Sequence, residues 1–339
     1  MKRRKFLQGA LVAAGMAVLI LDSKTGIAGV RAGITLCVYS VIPALFPFLF
    51  LSGILTGYLS GRRIRVLDPL RWLFRLPTGS EGIWVAGLLG GYPVGAQSVG
   101  QTYRAGSMGS DTARHLILIC NNAGPAFLFG MTASLFPEPG AAWLLWGIQI
   151  TSLLVLSRCM PCSSGAVSGL PQGNLSSSAS LKRAISVMGS VCGLMILMRV
   201  LLAFLDAWFL WRLPEGLRVT VTGVLELANG VVRLAELPNQ GLRFVLCALF
   251  LNFGGVCVYL QTMAVTEGIP ARSIYIFAKA FQGCIATLLA YGAQRILFPD
   301  KWLAPPFLVG LLLLLTLIFG GIVVGKRQKK SSNSCFVGV

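Results

Sequence analysis

The chain has 339 residues, of which 55% are hydrophobic and only 12% are charged, and its mean hydropathy is +0.76. Soluble domains carry about 25% charged residues, so this composition excludes an ordinary soluble protein and predicts a polytopic membrane protein. The net charge of +18 does not predict nucleic-acid binding, because the basic residues lie in short loops beside hydrophobic runs, as the positive-inside rule requires.

Residue types that carry out chemistry are scarce. His115 is the only histidine, and most of the nine cysteines lie in apolar segments, where thiols behave as small hydrophobes. Cys159 and Cys162 have a CxxC spacing, but a zinc site needs four ligands and no second pair accompanies them. The chain has no GxxxxGK[ST], HExxH or GxSxG motif. We therefore expect no enzyme activity, no metal site and no cofactor.

The N-terminus carries Lys2-Arg3-Arg4-Lys5 before an apolar region from Phe6 to Leu21. This pattern resembles a twin-arginine export motif, but no small-residue cleavage site is clear. We predict that residues 1–22 form an uncleaved signal-anchor helix with its basic end in the cytoplasm.

Further hydrophobic segments follow along the chain. A bilayer core about 30 Å thick requires roughly 20 apolar residues in a helix. The candidate segments are 6–21, 28–58, 82–104, 112–136, 141–157, 184–208, 241–266, 272–297 and 302–325. Two amphipathic stretches, 62–77 and 213–238, are expected to lie in the membrane interface. A Ser/Gly-rich linker is predicted at 161–181, and the basic tail 326–339 is predicted to be disordered.

The segment 82–104 is interrupted by GGYPVGAQ, residues 90–97. Pro93 removes a backbone donor, and Gly90, Gly91 and Gly95 permit conformations closed to other residues. The sequence therefore suits the tip of a hairpin with exposed backbone groups, to which Gln97 adds a side-chain amide. The alternative is a kinked helix whose glycines allow close packing.

The segment 112–136 is interrupted by Asn121-Asn122-Ala123-Gly124-Pro125. An amide pair in hydrocarbon is costly unless it is hydrogen-bonded, and the following Gly-Pro pair frees nearby carbonyl groups. Such a cluster suits a neutral polar ligand or a weakly held cation. The alternative is hydrogen bonding between helices.

The linker divides the chain into halves with a similar order of elements. Gly90-Gly91 can be laid over Gly254-Gly255, and Gln97 over Gln261. If both broken segments enter and leave on one side, each half contains three crossings, and an odd number inverts the second copy. We therefore predict an all-α polytopic membrane protein with two inverted repeats, 23–160 and 182–325, each with a re-entrant helical hairpin and a discontinuous transmembrane helix, as in transporters.

Two observations do not fit this topology. The segment 241–266 also suits one full crossing, and seven crossings would place the basic tail 326–339 outside, against the positive-inside rule. In addition, no counterpart of the Asn121-Asn122 pair is found in the second half, so the site is expected to be asymmetric.

Polar residues elsewhere in the second half are further candidates. Glu226 and Asn229 are either solvated at the interface or ligands of a coupling ion. Gln282 is a candidate of the same kind in the segment 272–297. Lys279 in that segment is expected to extend its ammonium group to the membrane interface.

Five motifs carry a resemblance to a known family. They are VIPALFPFLFLSGIL (41–55), LLGGYPVGAQ (88–97), CNNAGPAFLFG (120–130), LELANG (225–230) and NFGGVCVYLQ (252–261). Together they resemble the sporulation integral membrane proteins of the YlbJ type, which are grouped with nucleoside-recognition, or Gate, domain proteins. The resemblance implies a multi-pass protein of the bacterial plasma membrane, linked in spore formers to the spore coat or cortex, with a role in transport.

We therefore expect a secondary transporter or permease for a small polar solute, with nucleoside-like compounds among the candidates. The predicted substrate-binding residues are Gly90, Gly91, Tyr92, Pro93, Gly95, Gln97, Asn121, Asn122, Gly124, Pro125, Gly254, Gly255 and Gln261. Glu226, Asn229 and Gln282 are candidates for ion binding or coupling. The alternative is a non-transporting membrane scaffold for spore-envelope assembly. The expected partners are the solute and the lipid bilayer but not nucleic acid, and homo-oligomer formation stays open.

Overall fold

A computed structural model of the chain describes residues 2–59, 61–132, 134–138, 140–160, 165–169, 176–270 and 272–298. These residues form helices and connecting turns, without a strand among them. The α-helices are α1 (Lys2–Leu21), α2 (Ser23–Leu36), α3 (Ile42–Leu59), α4 (Asp68–Phe74), α5 (Glu81–Gly90), α6 (Val94–Arg104), α7 (Ser110–Cys120), α8 (Pro125–Thr132), α9 (Gly140–Cys159), α10 (Ser177–Trp208), α11 (Glu215–Leu225), α12 (Leu227–Arg233), α13 (Gln240–Phe253), α14 (Gly255–Val265) and α15 (Arg272–Leu297). The predicted span 302–325, the tail 326–339, Cys162 and much of the linker 161–181 lie outside the described residues.

Within the described part of the chain, 5 helical stretches are long and apolar enough to cross a membrane. They are Ser23–Leu59, Gly140–Cys159, Ser177–Trp208, Gln240–Val265 and Ile274–Leu297. The first combines α2 and α3 through a π-helical turn at Cys37–Val41. The predicted segments 82–104 and 112–136 each divide into two shorter helices, because glycine, proline and asparagine interrupt them at the predicted breaks.

Contacts between helix termini define two ends of the molecule. The first, which we name the arginine-rich end, holds the C-terminus of α9 against α4, where Arg158 donates to Leu73 O at 3.1 Å. Its basic residues are Arg62, Arg63, Arg65, Arg71, Arg75, Arg104, Arg114, Arg158, Lys182 and Arg183. The other, which we name the opposite end, holds the C-terminus of α10, where Asp206 pairs with Arg233.

Helices α5 and α6 form an antiparallel pair that starts and finishes at the arginine-rich end. Thr78 precedes α5 and Ser107 follows α6, and the segment 165–169 connects them. Val167 N donates to Thr78 O at 2.9 Å, and Ser168 N donates to Ser107 O at 2.9 Å. The pair therefore returns to the end from which it began.

Helices α11 and α12 form a second antiparallel pair, which starts and finishes at the opposite end. Arg218, in the first turn of α11, forms an ion pair at 2.9 Å with Glu236, which follows α12. Arg233, at the end of α12, donates to Thr222 Oγ1 of α11 at 3.1 Å. The stretch 213–238, which the sequence predicts to lie in the membrane interface, thus forms two helices that fold back on each other. The break between them, at Glu226, is only 2% exposed, because the pair packs against α13 and α14.

Helices α13 and α14 instead run from one end of the molecule to the other. At the start of α13, Arg243 donates to Ala235 O at 3.2 Å, which places this terminus at the opposite end. At the end of α14, Val265 O accepts a bond of 2.9 Å from Arg104, at the arginine-rich end. The segment 241–266 is thus a broken helix that does not turn back, and the overlay of Gly254-Gly255 on Gly90-Gly91 pairs elements of different kinds.

Helices α7 and α8 also run between the ends. They begin just after Ser107 at the arginine-rich end, and the chain beyond α8 brings Phe136 to within 5.7 Å of the Phe244 ring, near the start of α13. In each half, a returning helix pair is therefore followed by a broken helix. The turn of the first pair, at 91–93, corresponds to Glu226, and the break at 121–124 corresponds to Gly254.

Candidate functional site

The four breaks meet at the centre of the molecule. Gly95 lies so close to the end of α7 that an added Cβ atom would stand 1.7 Å from Cys120 O. Gly91 has φ +74° and lies against Gly124, while Gly254 has φ +82° and lies against the Tyr92 ring. Backbones from both halves can approach in this way only where side chains are absent.

Asn121 connects the first half to α14 and α15. Its Nδ2 donates to Thr262 Oγ1 at 2.9 Å and to Tyr275 OH at 2.8 Å, and its Oδ1 accepts from Ala96 N at 3.4 Å. Asn121 is fully buried. Its amide is therefore satisfied by contacts that fix the end of α7 between α6 and the second half.

Asn122 binds the only lysine at the centre of the described structure. Its Oδ1 accepts from Lys279 Nζ at 2.9 Å and from Gln282 Nε2 at 3.0 Å. Lys279 also donates to Gln282 Oε1 at 2.9 Å and has 0% of its surface exposed. The prediction that this lysine reaches the membrane interface is wrong, because amide oxygens inside the protein take the place of water around the ammonium group.

The network continues into α13 and α9. Asn252 Oδ1 accepts from Gln282 Nε2 at 3.2 Å and from Ser152 Oγ at 2.9 Å. Gln149 donates through Nε2 to Ala123 O at 2.8 Å, but its Oε1 is buried and accepts no hydrogen bond from the described residues. A buried acceptor without a donor is costly, so this oxygen is suited to a water molecule or a polar ligand.

Tyr92 covers the network on the side of the α5–α6 turn. Its ring centroid lies 5.6 Å from Lys279 Nζ, within the range of a cation–π contact. The Tyr275 ring lies 6.0 Å away from the same atom. In the described structure, the polar contacts of Lys279 are thus amide oxygens and aromatic rings, and none of them is a carboxylate.

A cavity of about 60 Å³ lies beside Tyr92. Its polar lining comes from both halves and includes Glu226 and Gln261, and Gly124 and Ala123 form part of its wall. Because one water occupies at least about 10–15 Å³ on this measure, the cavity has room for a few waters or one very small solute.

Glu226 lies at the cavity wall and caps the first turn of α12. Its carboxylate accepts from Ala228 N at 3.1 Å and from Asn229 N and Nδ2, both at 2.6 Å. Both residues are buried rather than solvated, so the alternative of an interfacial carboxylate does not agree with the structure. The carboxylate is oriented by these bonds and remains adjacent to the cavity.

The other predicted residues divide into two groups. Gly90, Pro93, Pro125 and Gly255 shape the breaks at the termini of α5, α6, α8 and α14. Gln97 is not brought to the central network. It lines a separate cleft near the arginine-rich end, together with Gln101.

Several residues of the network were not identified from the sequence. They are Gln149, Ser152, Asn252, Thr262 and Tyr275. Gln149 and Asn252 each carry an amide within an apolar helix, which is a usable signal. Asn252 also precedes Gly254 by two residues, so the second broken helix does have an asparagine beside its break, contrary to the expected absence of a counterpart for Asn121-Asn122.

The comparisons with known proteins give one partial likeness. The chain is 30% identical over 105 residues to the sporulation integral membrane protein YlbJ of Bacillus subtilis (strain 168), a match that covers 30% of this chain and 26% of that protein. No family model matches the chain, and no solved structure matches it. Together with the 5 long apolar helices, the likeness identifies an integral membrane protein with weak homology to a sporulation protein.

Proposed function

We propose that the chain is a secondary transporter, or permease, for a small polar solute. The observation that carries this proposal is the meeting of two broken helices and two returning helix pairs at a buried polar network, beside a cavity lined from both halves. Non-helical backbone at membrane depth is tolerated only where protein or a water-filled cavity covers it. Discontinuous helices around a central site are a recurring arrangement in transporters.

The topology that we propose has two inverted repeats. The α5–α6 and α11–α12 pairs are re-entrant hairpins that enter from opposite sides of the membrane. In each repeat a hairpin is followed by a discontinuous helix, α7–α8 or α13–α14, and then by a full crossing, α9 or α15. The positive-inside rule assigns the arginine-rich end to the cytoplasm.

The substrate site that we propose is the cavity beside Tyr92. Glu226, Gln261 and the backbone at Gly124 would contact the solute, and the Lys279 network would hold the two broken helices in register behind it. A nucleoside is too large for a cavity of about 60 Å³. Binding of a nucleoside-like compound would therefore require the hairpins to move apart.

The biological setting follows from the partial likeness. We propose that the protein is a multi-pass protein of a bacterial plasma membrane that acts in sporulation, and that it shares the Gate-type arrangement expected from its motifs. The likeness to YlbJ supports the sporulation link over the matched 105 residues, while the substrate is proposed from the site alone.

A second candidate function is a non-transporting scaffold for spore-envelope assembly. It is favoured by the hydrogen bonding of the network, since Asn121, Asn122, Asn252 and Gln282 find partners within the chain. In that case the breaks serve packing, and no solute enters the cavity.

The two functions are separated by ligand screening followed by uptake. We expect at least one compound among small acids, amino acids, nucleobases, nucleosides and divalent cations to raise the melting temperature of the purified protein. The stabilising compound, radiolabelled, should then enter proteoliposomes. Gln261→Met, which removes an amide from the cavity, should reduce uptake about 5–10-fold through loss of one hydrogen bond with little change in melting temperature.

Gln240→Met is the matched control, since Gln240 lies at the start of α13, away from the cavity lining. Its uptake should equal that of the unaltered protein. If no compound either stabilises the protein or enters proteoliposomes faster than empty liposomes, the scaffold function is favoured and the permease proposal fails.

A further inference from the structure

A cleft near the arginine-rich end contains polar groups that the proposed transport site does not use. It encloses about 530 Å³ and lies between the C-terminus of α6, the N-terminal turns of α10 and the C-terminus of α14. This volume is within the usual range of small-molecule pockets, about 300–1,000 Å³. Its polar lining includes Gln97, Gln101, Arg104, Arg183, Ser186 and Ser190.

The charges around this cleft favour an anion. Arg104 of α6 and Arg183 of α10 both line it, so two like charges lie at one cleft and repel each other. Glu267 is the carboxylate among the lining residues, so the two guanidinium groups leave the lining with an excess of positive charge. A bound anion would offset the repulsion between them.

A buried hydrogen-bond donor independently indicates a ligand. Gln101 lines the cleft and is 8% exposed, and its Nε2 donates no hydrogen bond to the residues that the structure describes. Such a donor is costly when left without an acceptor. An oxygen of a ligand in the cleft would satisfy it.

The position of Arg104 is fixed by the second half of the chain. Its Nη1 donates to Val265 O at the end of α14, at 2.9 Å. This bond holds the guanidinium group where α6 meets α14, so that one wall of the cleft includes residues of both helices. Guanidinium groups bind carboxylate and phosphate through two parallel hydrogen bonds.

We propose that this cleft binds a small oxyanion, namely a phosphate or carboxylate group, through Arg104, Arg183 and the amide of Gln101. The site is separate from the cavity beside Tyr92, and its existence does not require that the protein transports a solute. A phosphate group could come from a free solute or from the headgroup of an anionic lipid.

The first test measures the melting temperature of the purified full-length protein in uncharged detergent. Saturating inorganic phosphate should raise it by about 2–4 °C relative to sodium chloride at the same ionic strength. Arg183→Gln should weaken phosphate binding at least about 10-fold, as loss of a charge-assisted contact does. Arg212→Gln, in the turn that follows the C-terminus of α10, is the control and should leave the effect unchanged.

Two further variants guard against a folding defect. Gln101→Met keeps the side-chain length and should weaken phosphate binding, while Arg183→Lys keeps the charge and should retain part of it. A repeat in nanodiscs with and without phosphatidylglycerol identifies the source of the phosphate group. Stabilisation by this lipid alone, abolished by Arg183→Gln, would assign the site to a headgroup.

The proposal is overturned if neither phosphate nor phosphatidylglycerol stabilises the protein beyond the chloride control. It is also overturned if Arg183→Gln and Gln101→Met, both folded, respond as the unaltered protein does. Neither outcome bears on uptake through the cavity beside Tyr92, so the two proposals fail independently.

Discussion

Lys279 is a fully buried lysine at the centre of a bundle of mostly apolar helices. Its ammonium group is buried and held by Asn122 Oδ1 and Gln282 Oε1, each at 2.9 Å. A buried charge is tolerated only while such partners remain, because removal of one of them leaves the charge without solvation. The stability of the centre therefore depends on the amides around this one side chain.

Asn122→Ala should lower the free energy of unfolding by about 2 kcal/mol, since it removes an acceptor from the lysine and from Gln282. Lys279→Met combined with Asn122→Ala should destabilise the protein by at least about 1 kcal/mol less than the sum of the single changes, because the two side chains interact. Thermal unfolding of purified variants measures both. Thr151→Ala, an exposed hydroxyl on α9, is the control and should change stability by less than about 0.5 kcal/mol. Additive effects of the pair would contradict a direct interaction.

At the same scale, the sequence predicts some members of the central hydrogen-bond network and misses others for a physical reason. Because an amide in hydrocarbon is costly unless it is hydrogen-bonded, the sequence predicts that Asn121 and Asn122 bind polar groups. Thr262 and Tyr275 are common residues in apolar helices, so the sequence gives no reason to select them. Only the fold brings their hydroxyl groups within 3 Å of Asn121 Nδ2. Lys279 was assigned to the interface because its long side chain can reach water from many depths, and only the packed neighbours decide its direction.

At the scale of helices, the α5–α6 pair depends on close contact with the end of α7. Gly95→Ala would bring a Cβ atom to 1.7 Å from Cys120 O, a backbone atom that cannot rotate away. We expect this change to separate the pair from α7 and to cost at least about 3 kcal/mol, or to prevent folding, as severe overpacking does.

Gly147→Ala is the matched control on α9, where an added Cβ atom meets nothing within 4 Å. Alanine in an open helical position should be neutral or stabilising by about 0.5–1 kcal/mol. Yield of monodisperse protein and its melting temperature distinguish the two variants. If both variants were equally stable, the close contact between the α5–α6 pair and the end of α7 would be contradicted.

The sequence predicts where helices break better than it predicts how they are connected. Glycine, proline and asparagine act locally, so the interruptions at 90–93 and 121–125 could be predicted. Whether a broken segment turns back or runs on is decided by distant contacts, such as Arg104 with Val265 O for α14. For the same reason, the α11–α12 pair is predicted from sequence as an interfacial stretch, because charged and apolar residues are mixed along it and its contacts with α13 form only in the folded protein.

For the whole molecule, counting α13–α14 as one crossing changes the side of the membrane on which the chain is expected to end. With α1, α2–α3, α7–α8, α9, α10, α13–α14 and α15 each taken as one crossing, α15 ends outside if the N-terminus is inside. The sequence-predicted span 302–325 would then bring the basic tail 326–339 to the cytoplasm, as the positive-inside rule favours. The disagreement found with seven crossings would then be removed, because the segment 241–266 counts as a crossing rather than as a hairpin.

The central claim is that the two helix hairpins enter the membrane from opposite sides. The most direct test is labelling of single cysteines with a membrane-impermeant maleimide, in a background whose native cysteines are replaced by alanine. Thr78→Cys and Gly109→Cys flank the α5–α6 pair, and Glu215→Cys and Ala235→Cys lie at the two ends of the α11–α12 pair; all four positions are exposed. In intact cells we expect labelling at 215 and 235 but not at 78 and 109, with the reverse in inside-out vesicles. Labelling of all four positions from one side, or of the two members of a pair from different sides, would contradict the inverted hairpins.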